Sequence, residues 1–104
     1  MLAENGEWEA SRSQLEEAVK LNPKSAVTRQ NLGIALLELR DTAGALRELQ
    51  SAVDLDPNYF EAHLKLGRLL LENGKRTEAQ PHLRKATESP DEQVRQAAAR
   101  LLQN

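Results

Sequence analysis

The stretch from Pro23 to Pro57 reads PKSAVTRQNLGIALLELRDTAGALRELQSAVDLDP, and its landmarks return at one fixed step. The step from Pro23 to Pro57 is also the step from Leu32 to Leu66, Gly33 to Gly67, Leu36 to Leu70, and Ala45 to Ala79. It runs through two intervals at Leu15, Leu49 and Leu83, and again at Ala18, Ala52 and Ala86. Twice the step carries Glu4-Asn5-Gly6 onto Glu72-Asn73-Gly74. A fixed period of this size signals stacked supersecondary units, each completing its core on a neighbour.

Within a period the spacing predicts two helices. Leu32, Ala35, Leu36 and Leu39 recur at helical spacing in a segment from Ala26 to Leu39. Asp41 can cap a second helix, whose apolar stripe is Ala45, Leu46, Leu49, Ala52 and Val53. Asp56-Pro57 closes it, because a residue before proline is pushed out of the α region. The next period repeats the plan with Phe60 to Glu72, a turn at Asn73-Gly74, and Arg76 to Glu88, closed by Ser89-Pro90. Pro81 falls inside that last helix and is expected to bend it unless it stays within the first turns. Glu4-Asn5-Gly6 matches the turn, so the chain should open just before a second helix that places Trp8 in its first turn. Glu92 to Leu102 repeats a first-helix pattern. The expected organisation is a single array of about six helices. Residues 1–25 are the second helix of a truncated unit, 26–59 and 60–91 are full units, and 92–104 form the first helix of a further unit or a cap. This register suggests a fragment of a longer array.

The set Gly33, Ala45, Ala52 and Pro57, repeated as Gly67, Ala79 and Ala86, resembles the signature of the tetratricopeptide repeat, whose usual period is this one. These small residues also have a packing reason, since two helices approach closely only where side chains are small. The resemblance covers essentially the whole chain. It implies an all-α, right-handed solenoid of antiparallel helix pairs that acts as a non-catalytic scaffold. In this family the first helices line a concave groove for a peptide or protein segment. By register the groove residues are Val27, Gln30, Asn31, Ile34, Leu37 and Glu38, then Glu61, Leu64, Lys65, Arg68, Leu71 and Glu72, with Gln96, Ala97 and Arg100 from the last helix. Some members grip a C-terminal carboxylate with a Lys/Asn/Arg clamp. Asn31 and Lys65 fall at clamp positions, but Glu61 stands where a lysine is needed.

Other departures are visible. Leucine stands at Leu36, Leu49, Leu70 and Leu83, where the family often carries aromatics. Arg29 and His63 occupy a place that usually holds a large apolar residue. Arg40 matches Gly74, so the first turn must form without glycine's freedom.

Composition excludes several function classes. The 104 residues carry 14 Lys+Arg against 16 Asp+Glu, a net charge of -2, which argues against a dedicated nucleic-acid binder. There is no cysteine, hence no disulfide framework and no Cys-based zinc site. No apolar run approaches the roughly 20 residues a bilayer crossing requires, and no signal peptide opens the chain, which tilts the expected compartment toward the cytoplasm. No Gly-rich turn after a strand cradles phosphate, and Ser11, Ser13 and Ser25 lack an elbow motif or an oriented base. Glu16-Glu17 and Asp54-Asp56 read as solvated surface charge. His63 and His82 lie on different expected helices, His63 shielding a helix interface and His82 facing water, so neither a metal nor any other cofactor is expected.

The expected partner is a protein or peptide. Self-assembly through open repeat ends is the alternative, with Leu15 and Val19 at one end and Val94, Ala98 and Leu101 at the other. An accessory role in a larger enzyme or an assembly protein is a third reading. Trp8 either packs inward or stays open to another chain.

Overall fold

The structure is a computed structural model that describes residues 2–103, with side chains from position 6 onward. Among these residues there are six helices and no strand: α1 (Leu2–Leu21), α2 (Ala26–Glu38), α3 (Thr42–Leu55), α4 (Phe60–Glu72), α5 (Arg76–Ala86) and α6 (Glu92–Gln103). They sort into two compact units, Met1–Asp56 with α1 to α3 and Pro57–Asn104 with α4 to α6. In the first, α2 packs on both α1 and α3; in the second, α4, α5 and α6 all pack on one another.

The repeat step reappears as repeated contact. A Cβ built on Gly33 would meet Leu49 Cγ at 3.0 Å and the Ala45 carbonyl oxygen at 3.4 Å. One built on Gly67 would meet Leu83 Cδ2 at 2.6 Å and the Ala79 carbonyl oxygen at 3.4 Å. Each glycine therefore lets the two helices of a pair close until a leucine seats on bare backbone. Leu49 and Leu83 are each 1% exposed, and Ala45, Ala52, Ala79 and Ala86 are fully buried.

The turns are built alike from different residues. In the first, Arg40 N–H donates to the Leu37 carbonyl at 3.0 Å and Asp41 N–H to that of Leu36 at 2.8 Å. In the second, Gly74 N–H donates to Leu71 at 3.0 Å and Lys75 N–H to Leu70 at 2.8 Å. Both geometries need a left-handed residue, and Arg40 takes φ 66° where Gly74 takes φ 75°. The cap differs as well. Asp41 accepts the Gly44 N–H at 2.9 Å, whereas Lys75 offers α5 no side-chain cap. A Cβ at Gly44 would fall 2.6 Å from Asp41 Oδ2, so a larger residue there makes the capping carboxylate shift.

Two expectations are corrected. α1 runs unbroken through Glu4-Asn5-Gly6, so Trp8 lies inside a 20-residue helix rather than in a first turn. The same three residue types end α4, where α5 folds back onto it; the reversal needs that tertiary contact, and the tripeptide alone does not impose it. α5 contains Pro81 within one helix and ends at Ala86 rather than at the expected Glu88. Pro81 and Thr77 are both exposed, so the carbonyl that loses its donor stands on the solvent side.

Candidate functional site

The expected ligand-facing residues can be placed within each unit. On α2, Val27 is 55% exposed and Leu37 is 37% exposed, with Asn31 and Glu38 exposed and Ile34 half-buried. On α4, Glu61, Arg68 and Glu72 are exposed, while Lys65 and Leu71 are half-buried. On α6, Gln96 and Arg100 are exposed and Ala97 is half-buried. Gln30 and Leu64 are not presented to a ligand: they are 3% and 8% exposed. Gln30 lies one helical turn before Gly33, on the stripe that closes against α3, and Leu64 belongs to the packed interior of unit 2.

Two clefts open in the first unit. One of about 490 Å³ lies between α1 and α2, lined by Trp8, Ser11, Gln14, Leu15, Ala18, Asn31 and Ile34. Trp8 is half-buried there, between the two orientations its register allows. The other, about 470 Å³, is edged by charged Glu16, Lys20, Asp41, Arg47 and Glu48. Sequence spacing singles out Trp8 and, for another reason, Leu15. It does not show that Ser11, Gln14 and Ala18 share their face with two residues of α2.

A second feature is invisible in the sequence. Arg29 Nε and Nη2 donate to the Pro23 carbonyl at 3.3 and 3.2 Å, and Nη1 reaches Glu48 on α3 at 3.1 Å. One repeat later His63 and His82 stand in the same two places. His63 Nε2 lies 2.8 Å from the Pro57 carbonyl oxygen, which can only accept, so this nitrogen carries a proton. In a neutral ring Nδ1 is then the acceptor, and it takes the Nδ1–H of His82 at 3.1 Å. The two rings stack with centroids 5.3 Å apart. His82 is therefore a half-buried partner of His63, not a water-facing residue. Arg95 of α6 completes the series, donating to the Ser89 carbonyl at 2.9 Å. In all three cases the acceptor lies six residues before the donor. These latches tie the start of each first helix to the loop ahead of it.

Among the described residues, no group of three or more His, Asp or Glu converges as a metal-binding set. None of the helices is long and apolar enough to cross a membrane.

Comparison with known proteins agrees with the repeat. Among curated proteins the chain is 32% identical over 87 residues to the inactive TPR repeat-containing thioredoxin TTL3 of Arabidopsis thaliana, covering 84% of this chain and 13% of that protein. It is 31% identical over 75 residues to the small glutamine-rich tetratricopeptide repeat-containing protein 2 of Saccharomyces cerevisiae, covering 72% and 22% respectively. It thus spans a minor part of each relative's length. Among solved structures, the P58(IPK) TPR domain superposes with TM-score 0.87 at 27% identity, covering 97% of this chain and 28% of that one. MamA of Desulfovibrio magneticus RS-1 superposes with TM-score 0.75 at 26% identity, covering 84% and 49%. Two sequence profiles, both described as tetratricopeptide repeat, match residues 2–60 and 36–101. With the Gly–Leu contact and the latch both recurring at the repeat step, the chain belongs to the tetratricopeptide repeat family.

Proposed function

We propose that the chain is a non-catalytic binding module, taking a protein segment on the exposed faces of its first helices. The observation that carries this reading is a set of cations on the second unit. Lys65 and Arg68 on α4, and Arg100 on α6, form no salt bridge with a carboxylate among the described residues, whereas Arg12, Arg29 and Lys85 each do. Guanidinium and ammonium groups beside the half-buried Leu71 offer charge-assisted contacts and an apolar footing to an acidic segment. In the first unit, Val27 and Ile34 lie about one helical turn before and after Asn31, whose amide can pair with a peptide backbone.

The test is selection from a displayed random-peptide library, followed by titration of the recovered peptides. Binders rich in Asp and Glu are expected, with affinity falling at least tenfold for Lys65→Glu/Arg68→Glu and steeply with salt. Peptides whose affinity is indifferent to that charge reversal sink the reading.

A further inference from the structure

We propose that His63 and His82 together bind one divalent transition-metal cation of the zinc, nickel or copper class through their two Nδ1 atoms. They are the only histidines of the chain, which has no cysteine, so any imidazole or thiolate ligation of an ion rests on this pair. Both sit inside a single helix pair, His63 on α4 and His82 on α5. Sequence spacing gives no sign of the pairing, because 19 positions separate them.

The site begins with the tautomer of His63. Its ring is 8% exposed, and Nε2 lies 2.8 Å from the Pro57 carbonyl oxygen. Nε2 therefore keeps the proton in the neutral ring, and Nδ1 carries the lone pair. Metal-ligating histidines are held in this way: one nitrogen donates to a backbone carbonyl, which fixes the ring, and the other faces the ion. The loop ahead of α4 thus orients the first ligand in advance.

The second ligand lies across the helix pair. The ring centroids are 5.3 Å apart, but the two Nδ1 atoms are only 3.1 Å apart, so the rings approach by the edges that carry the donors. An ion about 2.0–2.1 Å from each of two imidazole nitrogens needs them about 2.9 Å apart for a right-angle bite and about 3.4 Å apart for a tetrahedral one. The observed separation falls between the two. The helices already stand at a chelating distance, and rotation of the rings aims both lone pairs at the ion.

Without the ion, the proton on His82 Nδ1 occupies the same gap. On binding, that proton moves to His82 Nε2, and both rings stay neutral, so the cation replaces a hydrogen bond. Arg29 and Glu48 hold the same two places in unit 1 and cannot chelate, since a guanidinium has no lone pair to give. No third His, Asp or Glu converges on the pair among the described residues, which leaves the remaining positions to water. The ion is accordingly exchangeable, and magnesium or calcium finds no cage of carboxylates there. Half-buried His82 is the side from which it enters.

Calorimetric titration of the 104-residue chain with zinc chloride at about pH 7.5, where both imidazoles are neutral, tests this. One zinc per chain is expected, and no uptake of magnesium. His63→Gln and His82→Gln should each weaken zinc at least about tenfold. Should His63→Gln unfold, His82→Gln alone decides. Titration with nickel should broaden the imidazole proton resonances of both histidines at the same equivalents. Absence of zinc binding, uptake that His82→Gln leaves unchanged, or broadening of one ring alone overturns the proposal. Transplanting the pair as Arg29→His/Glu48→His should raise the stoichiometry from one zinc to two. A double variant that is folded by circular dichroism and still takes one shows that this geometry does not make the site, and overturns it as well.

Discussion

The latch in the first unit is an ion pair and the latch in the second is a pair of rings, yet both end on the same loop carbonyl. Arg29 spans Pro23 and Glu48, and both charged side chains remain about one-fifth exposed. His63 spans Pro57 and His82 through two nitrogens of one ring. What the repeat preserves is therefore a geometry, donor to carbonyl and cross-helix partner, and not a chemistry. The turns teach the same lesson with the roles reversed. Unit 1 has the better cap in Asp41 and the worse turn residue in Arg40; unit 2 has the better turn residue in Gly74 and no side-chain cap.

The hardest way to break the comparison is to remove one partner of each latch. Glu48→Ala strands a partly buried guanidinium and is expected to destabilise unit 1 by about 2 kcal/mol. His82→Ala leaves a neutral acceptor, and about 1 kcal/mol is expected for unit 2. Urea melts followed by Trp8 fluorescence report the first unit, and the imidazole proton resonance of His63 reports the second. Equal losses in the two units would dissolve the distinction. The double exchange His63→Arg/His82→Glu should recover most of what either single change removes, because it transplants the whole first latch; independent, additive losses would show that the two sites are not equivalent.

A smaller effect separates the two glycines. Replacing either glycine by alanine gains about 1 kcal/mol of helix propensity. At Gly67 the new methyl meets Leu83 at 2.6 Å, and overpacking of that kind costs about 1–3 kcal/mol. At Gly33 the contact is 3.0 Å, a gap that a small shift of the Leu49 side chain relieves. Gly67→Ala should lower the midpoint of urea unfolding while Gly33→Ala leaves it nearly unchanged. The reverse order would mean the leucines, not the glycines, set the helix separation.

The smallest changes swap the turn chemistries. Asp41→Ala should cost about 1 kcal/mol through the lost cap, and Lys75→Asp should gain somewhat less in unit 2. Arg40→Gly relieves a left-handed non-glycine residue, against the entropy glycine loses on folding, for a net gain of about 0.5 kcal/mol. Thermal melts of the three variants check the signs, and a loss of stability in Arg40→Gly would show that the arginine side chain holds that turn.

Much of the fold is legible in the sequence because it is local. The repeat step alone yields six helices, with α2 and α4 starting where expected and the small residues lying where the helices of a pair close. What escapes depends on contacts between residues that no periodicity links. Arg29 and His63 stand out as polar residues in an apolar place, but their partners Glu48 and His82 carry no local signal, since each is an ordinary polar residue on its helix. Gln30 and Leu64 are expected on the open face because register fixes a helical position only to within a side chain's reach, and packing turns them inward. The extension of α1 through Gly6 shows the same limit from the other side, as a turn signal is honoured only where something packs against the turn.

The six-residue reach from carbonyl to latch donor also fixes where this array can change length. The interval from Phe60 of α4 to Glu92 of α6 is two residues shorter than that from Ala26 of α2 to Phe60, while Arg29, His63 and Arg95 keep the same span to their acceptors. The shortening therefore falls in the last turn of α5, which has 11 residues where α3 has 14, between Ala86 and the latch that begins at Ser89. Insertions and deletions should be absorbed there, and the short boxes from Pro23 to Arg29, Pro57 to His63 and Ser89 to Arg95 should tolerate none.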